Sequence, residues 1–388
     1  TVIGLRMNRA LKDRRVMIHN EDARGFLKRS DLQTDVVLIN LTEPSTLMIN
    51  RYYSTEFFHE VKDHCRPGGV LSVSLPSTAD YVSRKAGELN SVIYNTLKKS
   101  FRNVLIIPGQ RNYFLASDST LSIGISSLIE KRKIHTTFVN GYYLDDNLQA
   151  DRSAFIMKHI SDHGEINRDF KPVAFFCQLA YWNSMFQLNY MLIALMAIGI
   201  TFIVIKNLNR IRFGLFTGGF TVASLEIMII LSLQVLNGYS FGMVSLIILV
   251  FMAGLAFGAF LSGRLFRTPT MKTYMAVQIC MAGFAMVFML MLVVMSSFRP
   301  DFWVTLTVLG MLSFGIATCA GIEFSLSSGL DRGDPAKSAG ANYSADLYGG
   351  ALGAMLTSVV LLPLVGASFC CIFLMCFNLI SAFLNFRK

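Results

Sequence analysis

The chain has 388 residues, of which 53% are hydrophobic and 15% charged, and its formal net charge is +10. The positive charge is spread along the chain, with no basic cluster and no zinc-finger spacing, which argues against a nucleic-acid-binding protein. The seven cysteines form neither a CxxC pair nor a disulfide framework, and all six histidines precede residue 164. We therefore predict no metal site and no haem held by histidines.

The first 186 residues predict an α/β domain, because short β-branched runs alternate with helical stretches. The predicted strands are 15–19, 35–41, 69–75 and 104–107, and the predicted helices are 23–29, 55–65, 83–100, 126–133 and 153–163. The nearly continuous Val, Leu and Ile content of the strands favours a parallel sheet covered on both faces. Residues 111–117 predict a further strand, an antiparallel hairpin partner at the sheet edge.

The second half predicts a polytopic membrane domain. Seven apolar segments each reach the roughly 20 helical residues that a bilayer core requires. They are residues 187–206, 213–236, 241–262, 274–296, 302–324, 341–362 and 366–386. The chain therefore divides into an α/β domain at residues 1–180 and a transmembrane helical domain at residues 187–388.

The loops between these segments predict the orientation of the chain. Ten Lys and Arg residues lie in the loops of one parity and at the C-terminus, whereas Arg299 alone lies in a loop of the other parity. The positive-inside rule places the C-terminus in the cytoplasm, so seven spans place the α/β domain outside. If residues 187–206 lay flat, six spans would remain and the domain would be cytoplasmic. We favour seven, because residues 188–205 carry no charge.

The α/β half lacks a feature of nucleotide-binding domains. A Gly-rich turn after the first strand and an acidic residue after the next are expected there. The chain instead begins with Thr1-Val2-Ile3-Gly4, without an initiator Met. We therefore expect the sequence to be a fragment or a processed product, with a possible cofactor loop upstream.

Four stretches resemble, in order, the C-terminal two thirds of a spermidine synthase-like domain. They are residues 22–27 (DARGFL), 35–44 (DVVLINLTEP), 53–58 (YSTEFF) and 66–71 (RPGGVL). Residues 167–172, 219–263 and 343–350 resemble segments of bacterial membrane-fused members of this group, with transporter-like C-terminal helices. The resemblance covers roughly residues 8–120 of the α/β half. It implies a Rossmann-like fold with truncated first βα units, followed by about seven membrane helices.

The resemblance also implies a reaction and its site residues. Members of the family transfer an aminopropyl group from decarboxylated S-adenosylmethionine to a diamine, and a strand-end Asp helps to deprotonate the amine. Asn40 occupies that position here, and an amide cannot accept the proton. Glu43 could supply a carboxylate nearby, and Asp22 resembles the acid that contacts the adenine. The alternatives are a strand-end Asn, a turn-forming Glu-Pro and a helix N-cap Asp.

Polar and small residues in the apolar segments are further candidates. Glu226 falls near the middle of a span, where a charge is costly, so it is a functional candidate. Glu323 and Asp346 lie near the cytoplasmic ends of their spans, where we favour a role as anchors at the membrane interface. For Gln234 and Asn237 we predict hydrogen bonds between helices. Two GxxxG motifs predict close helix packing, and their residues are Gly254, Gly258, Gly349 and Gly353.

Three functions remain open. The favoured one is a subunit or scaffold of a complex in a prokaryotic inner membrane, with a catalytically degenerate domain that binds other membrane or periplasmic subunits. The second is a membrane-bound aminopropyl- or methyltransferase, whose S-adenosylmethionine-type ligand would require a loop upstream of residue 1. The third is a transporter, which Glu226 favours. No cofactor follows from the residues present.

Overall fold

The computed structural model describes residues 13–77, 82–162, 164–186, 190–238, 241–266, 268–298, 301–331 and 335–386. The first half contains α1 (Ala23–Arg29), β1 (Thr34–Ile39), α2 (Leu47–Asn50), α3 (Thr55–Asp63), β2 (Cys65–Pro76), α4 (Arg84–Ser100), β3 (Asn103–Ile107), β4 (Arg111–Ser117), α5 (Ile125–Lys131), α6 (Asp146–Lys158) and α7 (Val173–Phe186). The second half contains α8 (Tyr190–Lys206), α9 (Arg210–Asn237), α10 (Phe241–Leu265), α11 (Met271–Phe298), α12 (Phe302–Leu330), α13 (Pro335–Leu356), α14 (Leu362–Val365) and α15 (Ala367–Phe386).

The four strands form a mixed sheet in the order β1-β2-β4-β3. β1 is parallel to β2, whereas β4 is antiparallel to both of its neighbours. The predicted parallel sheet is thus reduced to one parallel pair. Strand 111–117 has the predicted bounds and antiparallel pairing, but it lies inside the sheet and not at its edge, where its buried Phe114 and Ala116 belong to the core.

The predicted strand at residues 15–19 is wrong. These residues form no strand, and Val16, Met17 and Ile18 are exposed. A β-branched run becomes a strand only where a neighbouring strand accepts its backbone hydrogen bonds. Among the described residues β1 is the edge of the sheet, and its Val36 and Leu38 are 56% and 72% exposed.

Helices α3 and α4 form the core of the domain with β2. Ser54 caps α3 and Ser83 caps α4, each through a bond from a backbone N–H of the first turn. Phe58 of α3, Ile93 of α4 and Leu71 of β2 are fully buried, and each such side chain stabilises the fold by about 1.5–3 kcal/mol. The predicted helix 55–65 ends at Asp63, because Cys65 begins β2. The predicted helix 153–163 lies earlier, at Asp146–Lys158, where Asp145 caps it.

Six helices of the second half are long and apolar enough to cross a membrane. They span Arg210–Asn237, Gly242–Leu265, Met271–Met295, Phe302–Leu330, Ala336–Val365 and Ala367–Asn385, and they match six of the seven predicted segments. The fifth of these passes through a π-helical turn at Thr357–Leu361, just before Pro363. The seventh predicted segment contains α8, which has 17 described residues, while residues 187–189 lie outside the described part of the chain.

Helix α9 is the centre of the bundle and packs against α12, α13 and α15. Close approach depends on glycine, because a Cβ on Gly349 or Gly353 would lie 2.1 or 2.4 Å from the α9 carbonyl oxygens of Phe216 and Phe220. Helices α10 and α12 meet in the same way, with a Cβ on Gly254 or Gly258 lying 2.6 or 2.1 Å from α12 carbonyl oxygens.

The α/β domain contacts the bundle at the C-terminal end of α9. The Nζ atom of Lys28 donates to the carbonyls of Val235 and Leu236, at 3.0 and 2.9 Å. The N–H of Ala367, at the start of α15, donates to the carbonyl of Phe170 at 2.9 Å. Helix α7 packs on α14 at this same end, whereas α8 leads into the opposite end of α9. Helix α8 is roughly 25 Å long, and its crossing of the membrane stays a prediction.

Candidate functional site

The site that the sequence predicts in the α/β domain is a cleft of about 680 Å³ at the end of β1. Asp22 at the start of α1 and Asn40 just after β1 both line it. Most of the wall is apolar, and it includes side chains of Phe26, Val37, Ile39, Met48, Ile49, Tyr52 and Phe57. The fold thus brings together two of the three residues that the sequence predicts for this site, because α1 begins there and β1 ends there.

Asp22 is already bonded to three protein donors. Its Oδ1 accepts the N–H of Gly25 at 2.9 Å and caps α1. Its Oδ2 accepts from the Tyr52 hydroxyl at 2.7 Å and from the Arg51 guanidinium. Burial would raise the pKa of Asp22, but Arg51 and these hydrogen bonds outweigh burial and lower it. The carboxylate is therefore held ionised by the protein itself, and it also serves as the predicted N-cap of α1; its contact with an adenine stays a prediction.

Asn40 and Glu43 lie after β1, where the amine substrate of an aminopropyltransferase would be expected. The Asn40 side chain is exposed at the cleft, whereas Glu43 does not line it. Glu43 lies near Tyr53, whose hydroxyl donates to the carbonyl of Thr42 at 2.8 Å. Burial raises the pKa of Tyr53, and Glu43 raises it further. The cleft thus presents an amide, and not a carboxylate, at the position of the expected base.

A buried ion network next to the cleft is not evident from the sequence. Arg24 is 2% exposed, and its guanidinium bonds Glu60 at 2.7 and 2.9 Å and Asp169 twice at 2.8 Å. The Ser54 hydroxyl donates to Asp169 at 2.6 Å. Burial raises the pKa of the adjacent Glu56, and Asp169 raises it further. Arg24 thus joins α1, α3 and the segment that leads into α7, so these elements form one unit.

Two cations of the domain cap the end of α9. Arg51 Nη1 donates to the carbonyl of Gln234 at 2.7 Å, and Lys28 bonds the next two carbonyls. A helix leaves its last carbonyls without partners inside the helix, and its dipole favours positive charge there. Gly238 ends α9 with φ +90°, and a Cβ there would lie 2.8 Å from Asp22 Oδ1. The predicted site residue Asp22 is therefore also part of the contact between the domain and the bundle.

The candidate residues of the spans differ in their surroundings. Glu226 and Gln234 are both partly buried, and Gln234 contributes its backbone carbonyl to the contact described above. Asn237 donates to the carbonyl of Phe302 at 3.3 Å and links α9 to α12.

Glu323 and Asp346 approach α9 at two adjacent glycines. A Cβ on Gly218 would lie 2.1 Å from Glu323 Oε2, and one on Gly219 would lie 2.7 Å from Asp346 Oδ1. Glu323 is 2% exposed and accepts a bond from Gln278 at 3.2 Å. Glu323 is thus inside the bundle, not at an interface with water as the sequence suggests, because the glycines of α9 admit it there.

Some residues of these sites were not predicted, although the sequence contains a pattern that could have identified them. Ser381 and Asn385 are polar residues four positions apart in one apolar segment, and Gln278 is a polar residue in another. Arg24 and Arg51 carry no comparable signal, because an Arg next to a turn is ordinarily on the surface.

Comparisons with known proteins agree with the position of the cleft. A spermine/spermidine synthase domain model matches residues 4–83. The polyamine aminopropyltransferases of Oceanobacillus iheyensis and Leptospira interrogans are each 37% identical over 68 residues, which is 18% of this chain and 13% and 14% of theirs. A probable polyamine aminopropyl transferase of Bifidobacterium longum is 30% identical over 82 residues, 21% of this chain and 17% of its own.

The chain thus spans less than a fifth of the length of these relatives. The region matched by the family model contains α1, β1, α2 and α3, which contribute residues to the cleft, together with Asp22 and Asn40. The chain carries a spermine/spermidine synthase-like segment at residues 4–83, in a small α/β domain that precedes at least six helices apolar enough to span a membrane.

Proposed function

We propose that this protein is a subunit or scaffold of a membrane complex, in which the spermidine synthase-like domain does not catalyse aminopropyl transfer. The observation that carries the proposal is the engagement of Asp22 by Arg51, Tyr52 and Gly25. The residue that would contact the ligand instead holds the domain against α9. The domain then functions by binding other subunits at its surface, and not by binding a ligand in its cleft.

The chemistry at Asn40 supports the same conclusion. Deprotonation of an attacking ammonium group requires a base, and an amide is not one at neutral pH. The acids that line the cleft are Glu21 and Asp22, and Glu21 forms an ion pair with Arg29. Both carboxylates are therefore engaged by cations of the chain.

The contact between the domain and the bundle holds these two parts in a fixed relative position. Arg51 bonds Asp22 on the domain and a carbonyl of α9 at once, and the buried Arg24 network holds α1 in place behind it. A scaffold requires such a fixed relation between its soluble and membrane parts, whereas catalysis at the cleft does not.

The basic residues of the loops support an extracytoplasmic domain in a prokaryotic inner membrane. The domain contacts the C-terminal end of α9, whereas Arg210 and Arg212 lie at its N-terminal end. With a cytoplasmic C-terminus, seven crossings would put the domain outside. The proposed partners are other membrane or periplasmic subunits.

A second candidate is a membrane-bound aminopropyl- or methyltransferase. The observation that favours it is the cleft itself, whose 680 Å³ would accommodate a nucleoside-sized ligand. This candidate requires residues outside the chain to bind the ligand, because the carboxylates of the cleft are engaged.

Isothermal titration of the full chain in detergent with decarboxylated and intact S-adenosylmethionine tests the proposal. We expect no binding at micromolar concentrations, and a curated aminopropyltransferase serves as the positive control. We also expect Asn40→Asp to leave the chain without aminopropyl transfer activity. Micromolar binding by the wild type, or activity gained by Asn40→Asp, would establish the second candidate instead.

Labelling of single cysteines tests the orientation. Tyr142 is 98% exposed on the α/β domain, and Lys272 is exposed at the start of α11. In a background without other cysteines, we expect an impermeant maleimide to label Tyr142→Cys in spheroplasts and Lys272→Cys only after lysis. The reverse pattern would place the domain in the cytoplasm.

A further inference from the structure

A second cavity, of about 500 Å³, lies between the α/β domain and the ends of two helices of the bundle. Lys28 and Arg29 of α1 line it on the side of the domain, and Asp301 and Phe302 at the start of α12 line it on the side of the bundle. The last two residues of α9 complete the wall. None of these residues lines the cleft at the end of β1, so this cavity is a separate site.

The position of this cavity is that of the lipid head groups. Helices α9 and α12 are both long and apolar enough to cross a membrane, and the cavity lies where α9 ends and α12 begins. Trp303, in the first turn of α12, is 73% exposed, and its ring contacts that of Phe302 edge to face. Exposed Trp rings are enriched at the interface between membrane and water. A ligand in this cavity is therefore at the surface of the bilayer.

The wall that α1 forms is positively charged. Arg29 pairs with Glu21 through its Nη2 atom, and the Arg29 side chain remains 65% exposed. Its Nη1 atom lies next to Gly25 of the same wall, since a Cβ on Gly25 would be 3.5 Å from it. The Nζ atom of Lys28 donates to the last carbonyls of α9, which holds its charge at the cavity. Guanidinium and ammonium groups in such positions bind phosphate oxygens.

The wall that α12 forms carries the opposite charge. Asp301 is the N-cap residue of α12, but its carboxylate accepts no capping bond from the first turn of that helix. The residue is exposed and lines the cavity, so its oxygen atoms are available to a donor from a ligand. A ligand that fills the cavity therefore meets two cations on one side and a carboxylate on the other. This arrangement complements a molecule that carries both a phosphate and an ammonium group.

An apolar groove continues from Asp301 toward the middle of the membrane. Asp301, Val304 and Val308 are separated by three and four residues, which places them along one face of α12. Val304 and Val308 form a groove of about 400 Å³ with residues 287–298 of α11, and all of its lining residues are apolar. Val294 and Val304 are 53% and 51% exposed, so the groove is open to the bilayer. Such a groove accommodates an acyl chain.

We propose that this cavity binds the head group of a phosphatidylethanolamine. Arg29 and Lys28 hold the phosphate, Asp301 holds the ammonium group, and one acyl chain lies in the groove between α11 and α12. A primary ammonium group donates charge-assisted hydrogen bonds to a carboxylate, whereas the quaternary ammonium of phosphatidylcholine has no proton to donate. Phosphatidylglycerol would pair with the two cations but would leave Asp301 without a cation. This site does not depend on the function proposed for the α/β domain.

Native mass spectrometry of the delipidated full chain in detergent tests the site. We expect phosphatidylethanolamine to bind about fivefold more tightly than phosphatidylcholine or phosphatidylglycerol, the effect of one ion pair. We expect Asp301→Asn to abolish this preference and Arg29→Ala to weaken binding of phosphatidylethanolamine by about the same factor. Arg66→Ala is the matched control, because Arg66 is another exposed Arg of the domain that pairs with an acid and lies outside the cavity. We expect it to bind as the wild type does.

A second measurement separates a binding defect from a folding defect. Without lipid, we expect the wild type, Asp301→Asn and Arg66→Ala to unfold at the same temperature. With phosphatidylethanolamine, we expect this temperature to rise less in Asp301→Asn than in the other two.

Three outcomes would overturn the proposal. The first is equal binding of the three lipids by the wild type, and the second is a preference for phosphatidylethanolamine that Asp301→Asn retains. The third is displacement of the lipid by an equal concentration of glycerophosphoethanolamine, which has the head group but no acyl chain. That result would assign the cavity to a soluble phosphodiester and not to a lipid.

Discussion

The guanidinium of Arg51 donates to the backbone carbonyl of Gln234 at 2.7 Å and so joins the α/β domain to the end of a membrane helix. The same guanidinium pairs with Asp22. The acid that the family resemblance assigns to the ligand is therefore used to hold the domain on the bundle. Substitutions at this junction test whether Asp22 has a structural role or a ligand-binding role.

The junction is sensitive to a side chain at Gly238. This residue has φ +90° and ψ 176°, a conformation that is essentially confined to glycine. A Cβ there would also lie 2.8 Å from Asp22 Oδ1. We expect Gly238→Ala to destabilise the chain by about 1–3 kcal/mol, measured as faster hydrogen exchange in the last turn of α9. Gly263→Ala is the control, because a Cβ there meets nothing within 4 Å; equal effects of both variants would contradict the prediction.

The buried Arg24 network makes a larger contribution than any surface ion pair. Arg24→Met leaves Glu60 and Asp169 buried without their cation, which costs about 3–5 kcal/mol. Hydrogen exchange of the Val61 amide in α3 measures this loss. Arg66→Ala removes the exposed pair with Asp35, for which we expect about 0–1 kcal/mol. A similar loss for the two variants would show that the network adds nothing.

The contact between α10 and α12 requires a glycine at position 258. A Cβ there would lie 2.1 Å from the carbonyl oxygen of Thr318, so Gly258→Ala forces the two helices apart. We expect a cost of about 1–3 kcal/mol, seen as a lower unfolding temperature in detergent. Gly283→Ala in α11 serves for comparison, since a Cβ there has open space. An unchanged unfolding temperature in Gly258→Ala would refute the close contact.

We expect low pH to weaken the contact between the α/β domain and α9 at Asp22. The folded chain lowers the pKa of Asp22, with Arg51 and three hydrogen bonds outweighing the effect of burial. The stability from this group is fully present above the unfolded pKa of about 3.9 and is lost as the pH falls through the lower folded pKa. We expect faster proteolysis at the junction below about pH 4. Asp22→Asn removes this step, and a pH profile identical to that of the wild type would assign it to other groups.

Much of the fold could be predicted from the chain alone. Four of the five predicted strands, the helices around them and six long apolar helices follow from periodicity, since strands, amphipathic helices and membrane spans each impose a characteristic pattern of burial. The strand predicted at residues 15–19 failed, because a strand also requires a neighbour that no local pattern specifies. The position of β4 between β2 and β3 was not predicted, for the same reason.

The sequence by itself determined the two-part organisation and the resemblance of residues 8–120 to a spermidine synthase-like domain. It also showed that Asn40 stands where the family has an Asp. These features depend on residue type and order alone. Only the tertiary structure decided that Asp22 is bonded to Arg51 at the end of α9, and that Glu323 lies against Gly218 inside the bundle. Those relations join residues between 29 and more than 100 positions apart. Packing selects such pairs through the shape of the whole bundle, and a local pattern does not encode them.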